Sequence, residues 1–347
     1  MNVHATTKAA DGNPYLLDVN DLVVHFRSGR QRPWAKHAVV HAVDGVSFRV
    51  RRGTTFGIVG ESGSGKSTTA QAIMRLVPAT SGQIVFRGED IMPLTGEPLR
   101  QARKHLQIVF QDPFSALDPR RRAGDQIREP LDLLHIGARS ARDERVRHLL
   151  GEVGLPPEAA DLFPHQFSGG QRQRLCIARA LAPEPELIVC DEAVSALDVA
   201  IQAQILNLLK KLQRERGLTY IFISHDLGVI QQFCDEIAVM YLGKIAEQAP
   251  ASTLFTEPRH PYTWSLMSAA APPGPLRDAL KAKYLVNGEP PSPVDPPPGC
   301  RFAGRCPFAI DQCRAEQPYL DAAAPEHFVA CHRQKDLAVP DLTLPAL

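Results

Sequence analysis

Apolar positions change their period along the chain, and each change marks an element. Leu16–Phe26 and Val39–Val50 alternate apolar with polar residues and are rich in Val and Phe, which predicts a pair of half-buried strands. The basic, polar stretch 27–37 between them predicts a loop. Thr54–Val59 is a short apolar run ahead of a glycine-rich turn and predicts a buried strand. From Leu99 to Leu181 the apolar spacing is mostly helical. Leu187–Val189 and Tyr220–Ile223 are compact apolar runs of the kind a parallel sheet buries on both faces. Between them Ile201, Ile205, Leu208 and Leu212 fall on one helical face. The sum is a layered α/β fold with a helical insertion.

Composition narrows the class. At 347 residues, about two domains are expected. Hydrophobic residues at 44% and charged residues at 22% exclude a mostly disordered chain. A formal net charge of +1 gives no support to a general nucleic-acid or anionic-membrane binder. No run of about 18 apolar residues lacks charge or proline, so no segment is expected to span a bilayer. Met1–Tyr15 lacks an apolar core, so no secretory signal is expected, and the chain reads as cytosolic with reduced, metal-bound or buried thiols. Nine of the 30 prolines lie between Pro272 and Pro298, which predicts an extended connector. The chain thus divides into a flexible N-terminus (1–15), a main unit (16–257, with its helical part at about 99–181) and an extension (258–347) holding four of the seven cysteines.

Gly60-Glu61-Ser62-Gly63-Ser64-Gly65-Lys66-Ser67 fits G-x-x-x-x-G-K-[ST] between a predicted strand and a helix opened by Thr68. Glycines let backbone N–H groups converge on phosphate oxygens, and the helix N-terminus adds positive potential. Lys66 then reaches the β and γ phosphates and Ser67 ligates Mg²⁺. Asp191 and Glu192 end an apolar strand, where α/β sheets hold ligands. Asp191 is the second Mg²⁺ ligand in this reading, and Glu192 orients or deprotonates the attacking water. Alone, two acids after an apolar run are more often a solvated loop. Ser168-Gly169-Gly170-Gln171 precedes a helical run and offers a second anion-binding N-terminus, although Ser-Gly-Gly alone also suits a turn with a capping serine.

Taken in order, Gly60–Ser67, Gln111, Ser168–Gln171, Asp191–Glu192, Ser195–Asp198 and His225 make the chain resemble the nucleotide-binding subunit of an ABC transporter over residues 16–257. The resemblance implies a P-loop NTPase of ABC type: a RecA-like core sheet with an antiparallel β subdomain and a helical subdomain. It implies ATP and Mg²⁺, with ATP held between Gly60–Ser67 of one subunit and Ser168–Gln171 of another. Gln111 would sense Mg²⁺ and the attacking water, Asp198 would lie in a loop crossing the dimer interface, and His225 would contact the γ-phosphate. Phe26 would stack on adenine, or else belong to the sheet core. The family usually has proline after the two acids, where this chain has Ala193.

Arg259-His260-Pro261-Tyr262-Thr263, the proline-rich stretch and the four cysteines are similar to the oligopeptide/dipeptide importer branch, and Phe110–Arg120 to its F-type ATPase. That implies uptake of di- or oligopeptides, with partners in two permease subunits, a related sister ATPase and, indirectly, an extracytoplasmic solute-binding protein. It also implies a peripheral place on the cytoplasmic face of the inner membrane. Nickel chelates or other small solutes are alternative cargoes. A soluble ABC ATPase acting on ribosomes or DNA fits less well, given one phosphate loop and only 102 positions from Lys66 to Ser168. Phe114 and Leu117 are expected either to meet the permeases or to pack inside the helical subdomain.

Cys300, Cys306, Cys313 and Cys331 are spaced C-x5-C-x6-C-x17-C, wider than the C-x2–4-C pairs of structural zinc. Scattered buried thiols or iron–sulfur ligation both remain open, and the resemblance points to a 4Fe–4S cluster with a structural or redox-sensing role. No motif places these thiols near the phosphates. Cys176, Cys190 and Cys234 have apolar surroundings and are expected in the core.

Overall fold

The computed structural model describes residues 13–27, 38–270, 284 and 291–340. The expected flexible start, the loop 28–37 and most of the proline-rich connector lie outside these residues. β1 (Tyr15–Arg27) and β2 (Val39–Arg51) pair antiparallel, with Val19 opposite Phe48 and Val24 opposite Val43. β3 (Thr55–Val59) is buried at every position and leads into α1 (Lys66–Ile73). β4 (Ser81–Phe86) and β5 (Glu89–Asp90) complete a four-stranded antiparallel sheet of order β2-β1-β4-β5. β4 escaped the periodicity because its first three residues are exposed and polar or Gly.

The run expected to be helical from Leu99 is interrupted. α2 (Gly96–His105) gives way to β6 (Leu106–Val109), a strand of the main sheet. Leu106, Ile108 and Val109 form an apolar run too short for a helix of its own, and pairing with a buried neighbour decides it. α3 (Pro113–Ala116), α4 (Ala123–Leu133), α5 (Arg142–Glu152) and α6 (Gly169–Leu181) then build the helical part around Ile127, Leu149, Leu150 and Leu175.

β7 (Leu187–Asp191) and β8 (Thr219–Ser224) are fully buried, with α7 (Val199–Arg216) between them. Asp198 caps α7 by accepting the Ile201 N–H at 2.9 Å. α8 (Leu227–Phe233), β9 (Glu236–Tyr241), β10 (Lys244–Pro250), α9 (Ala251–Thr256) and α10 (Pro261–Ala270) follow. The extension adds α11 (Asp311–Ala315), β11 (Asp321–Ala324) and β12 (His327–Val329). The second sheet runs β11-β12-β10-β9-β3-β8-β7-β6, parallel from β9 to β6.

Residues after Glu257 therefore do not stand apart. β12 pairs with β10, and α10 buries Tyr262, Trp264 and Met267 in the main core. Glu247 of β10 is fully buried. Its carboxylate accepts the Arg259 and His260 N–H groups at 2.7 and 3.0 Å, the Thr263 hydroxyl at 2.5 Å, and pairs with His327 Nε2 at 2.7 Å. A buried carboxylate demands such saturation. Among the described residues, no helix is long and apolar enough to cross a membrane.

Candidate active site

Three neighbouring parallel strands bring the chemistry to one edge. In register, Val59 of β3 lies beside Ser224 of β8, and Ile223 beside Asp191 of β7. The phosphate loop, the acid pair and His225 therefore leave the sheet together at its carboxyl end. Only glycine fits two loop positions: a Cβ at Gly60 would collide with the Met240 carbonyl, and one at Gly65 (φ 104°) with the Ala42 carbonyl.

The loop curls around its own lysine. Lys66 is 5% exposed, and its Nζ donates to the carbonyls of Gly60 and Glu61 at 2.8 and 2.9 Å. Burial draws the Lys66 ammonium below its ordinary pKa, against the pull of Glu192, Asp191 and Glu61. The Ser64 hydroxyl is buried with no hydrogen-bond partner, a group that a phosphate oxygen would satisfy. Ser67 Oγ donates to Asp191 Oδ1 at 2.9 Å, so two hard oxygen donors suited to Mg²⁺ already sit side by side. Burial raises the Asp191 carboxyl above its ordinary range, opposed by the Ser67 bond.

Glu192 is the meeting point of the catalytic candidates. Gln111 Nε2 donates to Glu192 Oε2 at 2.9 Å, and His225 Nδ1 lies 3.4 Å from the same oxygen. Glu192 adopts φ 48°, a left-handed conformation that costs a non-glycine residue about 1 kcal/mol or more. Its N–H donates to the Ile223 carbonyl at 3.0 Å, and its own carbonyl accepts the Ser195 N–H and hydroxyl at 3.1 and 3.0 Å, which fixes the bend. Ala193, next in the chain, is buried at 2% exposure.

Ser168 caps α6. Its Oγ accepts the Gln171 N–H at 3.3 Å while Gln171 Oε1 accepts the Ser168 N–H at 2.9 Å, a reciprocal capping box with Gly169 and Gly170 in the first turn. No hydrogen bond among the described residues joins this segment to Gly60–Ser67 of the same chain. Phe26, at the end of β1, is 41% exposed. Phe114 is 63% exposed with the Arg172 guanidinium 3.8 Å from its ring centre. Leu117 is 3% exposed and packs in the main core, so it is not a surface contact. Cys176, Cys190 and Cys234 are buried as expected.

The extension reaches the phosphate loop, which no motif signalled. Tyr262 OH accepts the Glu61 N–H at 2.8 Å, and Arg305 donates to Glu61 Oε2 at 2.8 Å. Cys300, Cys306, Cys313 and Cys331 all line one small cavity, with Phe302 and Phe308. Burial pushes the Cys306 and Cys331 thiols up to about 11 and about 12, and raises Cys300. The expected ligand cage is not drawn tight: among the described residues only His25, His41 and Asp44 bring three such ligand atoms within 4.8 Å of one another. The four cysteines pack like small apolar groups around the cavity. Arg301 and Lys244 also pair with Asp44, so the His25–His41–Asp44 group is an ion-pair node rather than a cation site.

This geometry has known counterparts. Residues 43–195 match the ABC transporter family model, and residues 246–313 match that of the oligopeptide/dipeptide transporter C-terminal region. The chain belongs to the ABC transporter ATP-binding subunits of the oligopeptide/dipeptide importer family. The oligopeptide transport ATP-binding protein AppF of Bacillus subtilis is 49% identical over 321 residues, covering 91% of this chain and 97% of AppF. A putative peptide import ATP-binding protein of Brucella ovis is 46% identical over 318 residues, covering 92% of this chain and 98% of that protein. Among solved structures, the ATP-binding cassette MJ0796, dimeric in a post-hydrolysis state with ADP and Pi, aligns with a TM-score of 0.60 at 29% identity over 68% of this chain and 98% of its own. This ABC subunit is an ATPase, and its second family match begins inside β10.

Proposed function

We propose that this chain is the ATP-hydrolysing subunit that powers import of di- or oligopeptides. The family supports that reading, and the observation that carries the chemistry is the convergence of Gln111 and His225 on one oxygen of Glu192, beside Ser67 and Asp191. On nucleotide binding, Lys66 exchanges the Gly60 and Glu61 carbonyls for β- and γ-phosphate oxygens. Mg²⁺, held by Ser67 and Asp191 with Gln111 nearby, supplies neutralisation of phosphate charge. Glu192 accepts the proton of the attacking water, while Gln111 and His225 hold its carboxylate in place. Phe26 offers its exposed ring to adenine. Ser168–Gln171 and Asp198 complete the site of a second cassette, a related sister ATPase, so ATP closes the pair and hydrolysis opens it. Two permease subunits on the cytoplasmic face of the membrane receive that motion, with Phe114 exposed toward them, and an extracytoplasmic binding protein supplies the cargo.

In the same reading Cys300, Cys306, Cys313 and Cys331 would hold a 4Fe–4S cluster only by drawing together, since they share one cavity without forming a closed ligand set. Anaerobic purification followed by iron and sulfide analysis tests it: a colourless, iron-free protein would remove the cluster. Peptide uptake by cells carrying the whole transporter tests the function. Lys66→Ala should abolish uptake and ATPase together, and uptake that persists without nucleotide binding would refute the reading.

A further inference from the structure

Two arginines lie just inside the Cys300–Cys306 loop, and Arg305 reaches the phosphate loop directly while Arg301 holds Asp44 and the Leu242 carbonyl beside it. Arg305 is 11% exposed and donates to Glu61 Oε2 at 2.8 Å and to Tyr241 OH at 3.2 Å. Arg301, at 7% exposure, donates to the Leu242 carbonyl at 2.7 Å. The next residue, Gly243, donates its N–H to the Ser64 carbonyl at 2.8 Å. Tyr262 holds the Glu61 N–H. The phosphate loop is thus gripped at Glu61 and at Ser64 by groups that lie outside it.

Glu61 poses an electrostatic problem. It is the second residue of a loop built to hold a polyanion, and its charge is close enough to act on Lys66. An uncompensated carboxylate there would repel nucleotide phosphates. The geometry points to Arg305 as a positioning residue for ATP: it neutralises Glu61 and, with Tyr262, ties the charge and shape of Gly60–Ser67 to the cysteine-bearing loop. This rests on the reading that Gly60–Ser67 holds the phosphates of ATP.

The test is equilibrium MgATP binding and steady-state ATPase with the purified full chain. Arg305→Gln should weaken MgATP about tenfold, equivalent to ~1.4 kcal/mol, and raise KM with little change in kcat. Adding Glu61→Gln should return affinity to within about threefold of wild type, because the exposed charge is gone. Glu326→Gln breaks another pair between extension and core, with Arg51, and should leave affinity within about twofold. A folded Arg305→Gln with wild-type affinity overturns the proposal, as does a double variant no tighter than Arg305→Gln. If Arg305→Gln does not fold, Glu61→Gln alone decides: it should tighten MgATP, and unchanged or weaker binding overturns the proposal. Lys66→Ala separates the two readings. If it binds MgATP normally, the site assignment fails; if it abolishes binding while Arg305→Gln does not weaken it, only this inference fails.

Discussion

The Ser67 hydroxyl and the Asp191 carboxylate, 124 positions apart in sequence, share a hydrogen bond of 2.9 Å. Burial holds the Asp191 carboxyl above its ordinary value, so it keeps its proton to higher pH than a free aspartate does. Where that proton is held Mg²⁺ competes with it, so MgATP affinity should fall as pH drops into the carboxylate range, earlier than for an ordinary aspartate, and level off above it. Titrations of Mg²⁺-dependent ATP binding across that range check this, and Asp191→Asn should bind weakly with a flatter profile. An equally steep profile in Asp191→Asn would place the titrating group elsewhere.

Glu192→Gln should bind MgATP yet hydrolyse it at least about 100-fold more slowly, the usual scale for losing a general base. Amide replaces carboxylate at nearly constant shape, so the left-handed bend and the Ile223 and Ser195 bonds should persist. Single-turnover kinetics reads the rate, and size-exclusion chromatography with the cognate cassette should show closed pairs accumulating. Near-normal turnover would move the proton acceptor to another group.

The three core thiols should be inert in the native protein. Burial pushes Cys176 and Cys190 up to about 11 and about 12 and raises Cys234 further, so thiolate is scarce at neutral pH. Iodoacetamide with mass spectrometry should label none of the three until denaturant is added. Rapid native labelling of Cys190 would contradict its place in β7.

His327→Ala should cost about 2 kcal/mol, because it removes a hydrogen-bond partner from a fully buried carboxylate. Thermal melting should show a clear drop, and Glu247→Gln combined with His327→Ala should cost less than His327→Ala alone. A melting point unchanged by His327→Ala would mean that the Arg259, His260 and Thr263 bonds suffice.

The central strands and the phosphate loop were legible because burial writes apolar runs and the chemistry needs fixed residue types. Leu187–Asp191 declared both its burial and its ending in acids. β6 was hidden because four residues carry too little pattern to separate strand from helix, and its parallel pairing with β7 is a fact of tertiary structure. Leu117 illustrates the opposite failure, since its neighbour Phe114 is exposed and sequence does not reveal which of two nearby apolar residues turns inward. Arg305 and Tyr262 were unreadable for a related reason. Their partner Glu61 lies 244 positions from the first and 201 from the second, and no local spacing records such a meeting.

The carboxylate of Glu247 waits for an imidazole 80 positions downstream. During synthesis β10 is made long before β12, so its edge and its buried anion stay incomplete until the tail emerges. A nascent chain made only as far as the end of β10 therefore carries every catalytic group named above while the outer edge of its sheet still lacks β12.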